Sequence, residues 1–172
     1  LVLPPGDSRD DNPPSDLCHS HGLNYYYQGK VDNCVMGGLA NAVFRMLGPK
    51  LADAMLQGLE HSVEFAWGDF VRKVNNVVPG YELQKFSCFD VLQLDDSMPV
   101  VVQLRSGDKS ESHAITVYNG CIYDSASQFV LIKSLEALTW CCGTYGFECH
   151  LRLFKLLPKL ARDGKARRSR HS

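Results

Sequence analysis

Between positions 35 and 47 the apolar residues Val35, Leu39, Ala42, Val43 and Met46 fall on one side of a helical wheel. That spacing predicts an α-helix of about three to four turns. Asp32-Asn33 can cap its N-terminus and Gly48-Pro49 ends it. A second helix is predicted over 50–60, with Leu51, Ala54, Met55 and Leu59 as its stripe. A third, over 63–75, would bury Phe65, Phe70, Val71 and Val74, and Pro79-Gly80 closes this helical half. The period then changes. Positions 81–86 alternate, and 99–104 (PVVVQL) form the apolar run of a buried strand. Two more strands, 112–118 and 121–124, flank Asn119-Gly120, the strongest short-range hairpin signal. Positions 129–132 extend the sheet, 134–140 read as a short helix capped by Ser134, and 148–156 as a late strand. Helices first, then an antiparallel sheet, make an α+β fold.

The hairpin fixes geometry. A two-residue turn at Asn119-Gly120 pairs Tyr118 with Cys121, Val117 with Ile122, Thr116 with Tyr123 and Ile115 with Asp124. Alternation then puts His113, Ile115 and Val117 on one face with Ile122 and Asp124. Asp124 becomes a diagonal neighbour of His113, roughly 7–8 Å away at the backbone and within side-chain reach. A carboxylate there can hold an imidazole in the tautomer and orientation a general base needs. A surface His beside a surface Asp at the sheet end fits the same pattern without chemistry.

Cys34 opens the first helix. A thiol at a helix N-terminus lies near the positive end of the macrodipole and near unpaired backbone N–H groups. Both favour the nucleophilic thiolate, and the same N–H groups can stabilise an oxyanion. Gln28, six positions earlier, can add its amide as a second oxyanion donor. A small buried Cys at a helix start is the plain alternative. The two signals together fill every role of a thiol-based acyl-transfer site: nucleophile, base, orienting acid and oxyanion donor.

In that order, Gln28, Cys34, His113 and Asp124 resemble the papain-like cysteine peptidases. That family places its Cys at the start of a central helix, its His and Asp or Asn on the following sheet, and a Gln shortly before the Cys. The Gln-to-Cys spacing matches, and the short His-to-Asp hairpin looks more like compact members than papain itself. Those members include bacteriocin-processing peptidases and small viral, effector or deubiquitinating proteases. The chain differs from papain in the Val35-Met36-Gly37 that follows the Cys and in its shorter length. The resemblance implies peptide or isopeptide hydrolysis through a thioester, a protein or peptide substrate and no cofactor. Other acyl transfer on the same triad (transglutaminase, acetyltransferase, deamidase) and an inactive papain-like binding module remain open.

Composition narrows the picture further. The chain has 172 residues, 45% hydrophobic and 22% charged, enough for one domain with a proper core. Its net charge of -1 gives no case for nucleic-acid binding by the whole domain. No apolar run approaches the roughly 20 residues of a membrane span. The Pro- and Asp-rich start lacks the charged beginning and apolar core of a signal peptide. The chain begins at Leu1, as a cut-out or processed piece of something longer would. The expected organisation is a flexible lead over 1–20, a papain-like domain over 21–157 and a flexible basic tail over 158–172. Nucleic-acid binding or nuclear localisation is expected, if anywhere, only through that tail. Seven cysteines, an odd number at irregular spacing, point to reduced thiols and an intracellular protein, the alternative being an extracellular protein with one free reactive thiol. Cys141-Cys142 with Cys149-His150, and Cys18-His19 with His21, do not form a standard zinc pattern and read as packing residues and a loose lead. The Tyr25-Tyr26-Tyr27 run, Trp67 and Trp140 read as packing residues, the Tyr run also being placed to wall a cleft.

Overall fold

A computed structural model describes residues 13–26, 34–57, 67–88, 90–106, 112–142, 147–148 and 153–159. A short 3-10 helix, Ser15–Leu17, leads into β1 (Cys18–Leu23). Three helices follow: α1 (Cys34–Leu47), α2 (Pro49–Leu56) and α3 (Trp67–Val77). Then come β2 (Tyr81–Phe86), a 3-10 turn at Val91–Gln93, β3 (Val100–Ser106), β4 (Ser112–Tyr118), β5 (Cys121–Tyr123) and β6 (Phe129–Ile132). The chain continues through α4 (Leu135–Cys142), β7 (Phe147–Glu148) and β8 (Leu153–Pro158). The fold is α+β. Its antiparallel sheet of 8 strands runs β1-β6-β5-β4-β3-β8-β2, with β7 pairing β3.

Both faces of the sheet are covered, which explains the unbroken apolar run of β3. Val100, Val102 and Leu104 pack with Ile115, Val117, Ile122 and Leu131 beneath Leu138 and Cys141 of α4. Val101, between them, faces the other way with Ala114, Leu83 and Leu156, under Met36, Leu39 and Val43 of α1, Met55 of α2 and Phe70 and Val74 of α3. Gly48, with φ +94, separates α1 from α2, and Pro49 takes the first turn of the second helix, where its missing N–H is no loss. Ser134 caps α4, its Oγ accepting the Ala137 N–H at 3.1 Å.

α1 is more deeply enclosed than a one-sided stripe predicts. Every residue from Val35 to Val43 is buried. Gly37 and Gly38 allow this: a Cβ on Gly37 would stand 2.7 Å from Ser125 Cβ, and one on Gly38 would stand 3.0 Å from the Tyr123 carbonyl oxygen. The helix axis therefore lies close against β4 and β5.

Several boundaries move. The lead expected to be flexible over 1–20 carries β1, which pairs with β6 at Cys18↔Leu131 and Leu23↔Phe129. Backbone hydrogen bonds to a sheet edge build this strand, and its CHSHGL sequence has no alternation to announce it. The body thus starts before residue 21 and runs past 157, because Pro158 is in β8 and the Lys159 N–H donates to the Gly80 carbonyl at 2.7 Å. The rest of the basic tail lies outside the described residues. Of the predicted α2 stripe Met55 is buried and Leu51 and Ala54 are half-buried; Ala52 is buried as well, and the helix ends at Leu56 with Gln57 extended. α3 runs two residues beyond its predicted end; Phe65 and Leu59 lie outside the described residues. The late strand predicted over 148–156 is two strands, β7 and β8.

Candidate active site

The hairpin register is the one its turn dictates: Tyr118↔Cys121, Val117↔Ile122 and Thr116↔Tyr123. Asn119, with φ 48, and Gly120, with φ 76, make the tight turn. Asp96 secures it, accepting the Gly120 N–H at 2.8 Å and pairing with Lys133 at 3.0 Å. At the open end of this hairpin, His113 stands second in β4, opposite Leu104 of β3, and Asp124 follows directly after the last residue of β5.

His113 Nε2 lies 3.0 Å from Asp124 Oδ1. Asp124 is fully buried, whereas the His113 side chain keeps 15% of its surface exposed. The carboxylate is held by its own turn. Its Oδ1 also accepts the Ala126 N–H at 2.9 Å, and its backbone carbonyl accepts the Ser127 N–H at 2.9 Å. The imidazole also hydrogen-bonds Cys34, the half-buried first residue of α1. With Nε2 committed to Asp124, Nδ1 is the ring nitrogen left for the sulfur. Burial works against charge on this ring, but Asp124 and then Cys34, each by charge and by hydrogen bond, outweigh it and push the His113 pKa up to about 10. The structure therefore brings Cys34, His113 and Asp124 together as one hydrogen-bonded chain. Gln28 lies outside the described residues, as do Asp32 and Asn33.

The other thiols are held differently. Burial pushes the Cys18, Cys88 and Cys121 thiols up. Cys18 donates to the Pro14 carbonyl at 3.6 Å, and Cys121 packs with Ala42, Tyr123 and Val130. Cys141 and Cys142 are buried in the α4 face, and Cys149 and His150 lie outside the described residues. Among the described residues no group of three or more His, Cys, Asp or Glu is arranged to hold a metal ion. No described helix is long and apolar enough to cross a membrane.

Two asparagines escaped the sequence reading. Asn41 sits in α1, its Oδ1 accepting the Tyr26 N–H at 2.8 Å and its Nδ2 donating to the Tyr26 and Gly37 carbonyls at 3.0 Å each. A lone polar residue between Ala40 and Ala42 was the available signal. Asn24 follows β1 and binds the turn that carries Asp124; no pattern in its neighbourhood marks it. Between them they fix Asn24–Tyr26, the stretch that leads towards Gln28. Tyr25 stacks on Phe44 with ring centroids 4.2 Å apart, and the Tyr26 hydroxyl donates to Asp53. Trp67 stacks on Phe154. Set against known proteins, the chain matches no family model and no curated sequence.

Proposed function

We propose that this chain is a papain-like thiol-dependent acyl-transfer enzyme, and most simply a cysteine peptidase acting on peptide or isopeptide bonds. One observation carries the reading: a single imidazole hydrogen-bonded on one side to a fully buried carboxylate and on the other to a cysteine that starts a helix. Structural histidines do not need a thiol on the second nitrogen.

Cys34 is the nucleophile. Its sulfur attacks the carbonyl carbon of the substrate as its proton passes to His113. The first-turn N–H groups of α1, unpaired within the helix, and the Gln28 amide are the donors for the oxyanion. As the tetrahedral species collapses, the C–N bond breaks and His113 gives its proton to the leaving amine, leaving a thioester on Cys34. His113 then takes a proton from water, the hydroxide attacks the thioester, and the carboxylic acid and thiol are released. Asp124 holds the ring in place and balances its charge throughout. No cofactor takes part in these steps.

The test is the rate at which iodoacetamide labels each cysteine, resolved by peptide mass spectrometry. Cys34 should label fastest, and His113→Ala should slow it by tenfold or more while leaving Cys18 and Cys88 unchanged. Labelling of Cys34 no faster than the other thiols would overturn the reading and leave a binding module. Substrate profiling with an added amine then separates hydrolysis from transfer: hydrolysis gives the free acid, a transferase the new amide. On a profiled substrate, His113→Ala should lower kcat/KM by about 10²–10⁴-fold.

A further inference from the structure

Asn24 lies a hundred positions before Asp124, yet the turn that presents Asp124 is folded around it. The Asn24 side chain is buried. Its Nδ2 points at three backbone carbonyls of that turn: Asp124 at 3.2 Å, Ser127 at 2.9 Å and Phe129 at 3.3 Å. The Asn24 N–H adds a bond to the Gln128 carbonyl at 2.9 Å. Two side-chain protons thus serve three inward-facing oxygens, which an apolar side chain would leave without this donor.

The amide is not there merely to fill space. Its own Oδ1 is buried with no hydrogen-bond partner among the described residues. An apolar residue of the same size would avoid that unmatched acceptor, so what distinguishes Asn here is its pair of donors. The turn it closes is short, and its geometry is passed straight to the carboxylate. Asp124 Oδ1 is shared between the Ala126 N–H at 2.9 Å and His113 Nε2 at 3.0 Å. If the Asp124, Ser127 and Phe129 carbonyls spread apart, that oxygen leaves the ring.

We propose that Asn24 is a positioning residue for the His113–Asp124 pair, its buried amide holding shut the turn that aims the Asp124 carboxylate at the imidazole. The inference rests on the acyl-transfer reading of the site and adds to it a residue from the N-terminal segment. β1 acquires a purpose beyond its pairing: by running along β6 it delivers Asn24 to the inside of the turn.

The experiment follows the His113 ring by NMR in protein labelled at histidine, with the signal assigned from His113→Gln, across a pH titration. Asn24→Ala and the gentler Asn24→Ser are compared with the parent and with Asp96→Asn. The last loosens the opposite end of the same hairpin, where Asp96 binds Lys133 and the Gly120 N–H. Both Asn24 variants should titrate at least about one unit lower than the parent, the shift expected when an opposite charge moves away. Asp96→Asn should lower the melting temperature and leave the titration in place. If the Asn24 variants melt earlier but titrate with the parent, or if Asp96→Asn shifts the ring equally, Asn24 is a structural residue and the inference fails alone. Should Asn24→Ala not fold, Asn24→Ser carries the comparison. A parent ring that titrates near the ordinary value of about 6.5 would sink the acyl-transfer reading itself.

Discussion

His113 is faced by two groups, and their removal should have different signatures. Asp124 and Cys34 both raise its proton affinity, against the burial that lowers it. Asp124 adds full negative charge at 3.0 Å, so its loss should release the proton most. A small neutral epoxide amide makes this measurable without knowing the substrate. Sulfur opens the ring, and the oxygen that leaves must collect a proton, which His113 supplies. Inactivation by the epoxide should therefore fall as pH rises through about 10, where the ring loses its proton. In Asp124→Asn the descending limb should move to lower pH by about 1–3 units, because a neutral amide no longer stabilises the imidazolium. A limb that stays in place would mean that the carboxylate positions nothing of electrostatic consequence. This much of the site was legible in sequence for a simple reason. Asn119-Gly120 fixes the pairing, and the pairing fixes which residues stand near His113. Asn24 was not legible, since its three acceptors lie on a turn a hundred positions away and are backbone atoms with no sequence signature.

The central helix depends on two residues without side chains. Gly37 and Gly38 let α1 settle against the β4–β5 hairpin, and they also set the distance from Cys34 to the strand that carries His113. Gly37→Ala would put a Cβ 2.7 Å from Ser125 Cβ, the residue after Asp124, so either the helix or the turn must shift. Such overpacking typically costs about 1–3 kcal/mol, and a loss of unfolding free energy of that size is expected in urea titration, together with slower labelling of Cys34. Gly68 supplies the contrast. It lies exposed in α3 with nothing within 4 Å of an added Cβ, and Gly68→Ala should be neutral or stabilise by up to about 1 kcal/mol. A Gly37→Ala protein as stable and as reactive as the parent would show that the close approach is dispensable. Nothing in the sequence around Gly37-Gly38 announces this role, because a glycine's use depends on what stands opposite it. The helices themselves followed from apolar spacing, whereas β1, made by backbone pairing to β6, left no such trace. The deep burial of Val35–Val43 escaped notice for a related reason: Gly37 and Gly38 seat the helix against the sheet and Asn41 bonds the Tyr26 backbone, and local periodicity cannot register a segment arriving from elsewhere.

Global stability carries the imprint of where the site's proton comes from. A His whose folded pKa is raised binds its proton more tightly in the native state. That contribution is complete below the unfolded value of about 6.5 and is lost as pH rises through the folded value of about 10. One extra native proton gives a slope of about 1.4 kcal/mol lost per pH unit just above that unfolded value. Asp124→Asn removes the charge that holds the ring's proton affinity up against burial. Urea unfolding between pH 7 and 8 should thus give a curve that falls for the parent and is markedly flatter for Asp124→Asn. The raised thiols Cys18, Cys88 and Cys121 titrate alike in both proteins and cancel in the difference. At the acid end Asp95 acts on both equally. Its pKa is lowered to about 2 by the Ser97 N–H and Lys155, so its contribution is present above about 4 and fades below. Equal slopes in the two proteins would mean that the buried carboxylate does not hold the ring's proton, and the 3.0 Å contact between Asp124 and His113 would then orient the imidazole without charging it.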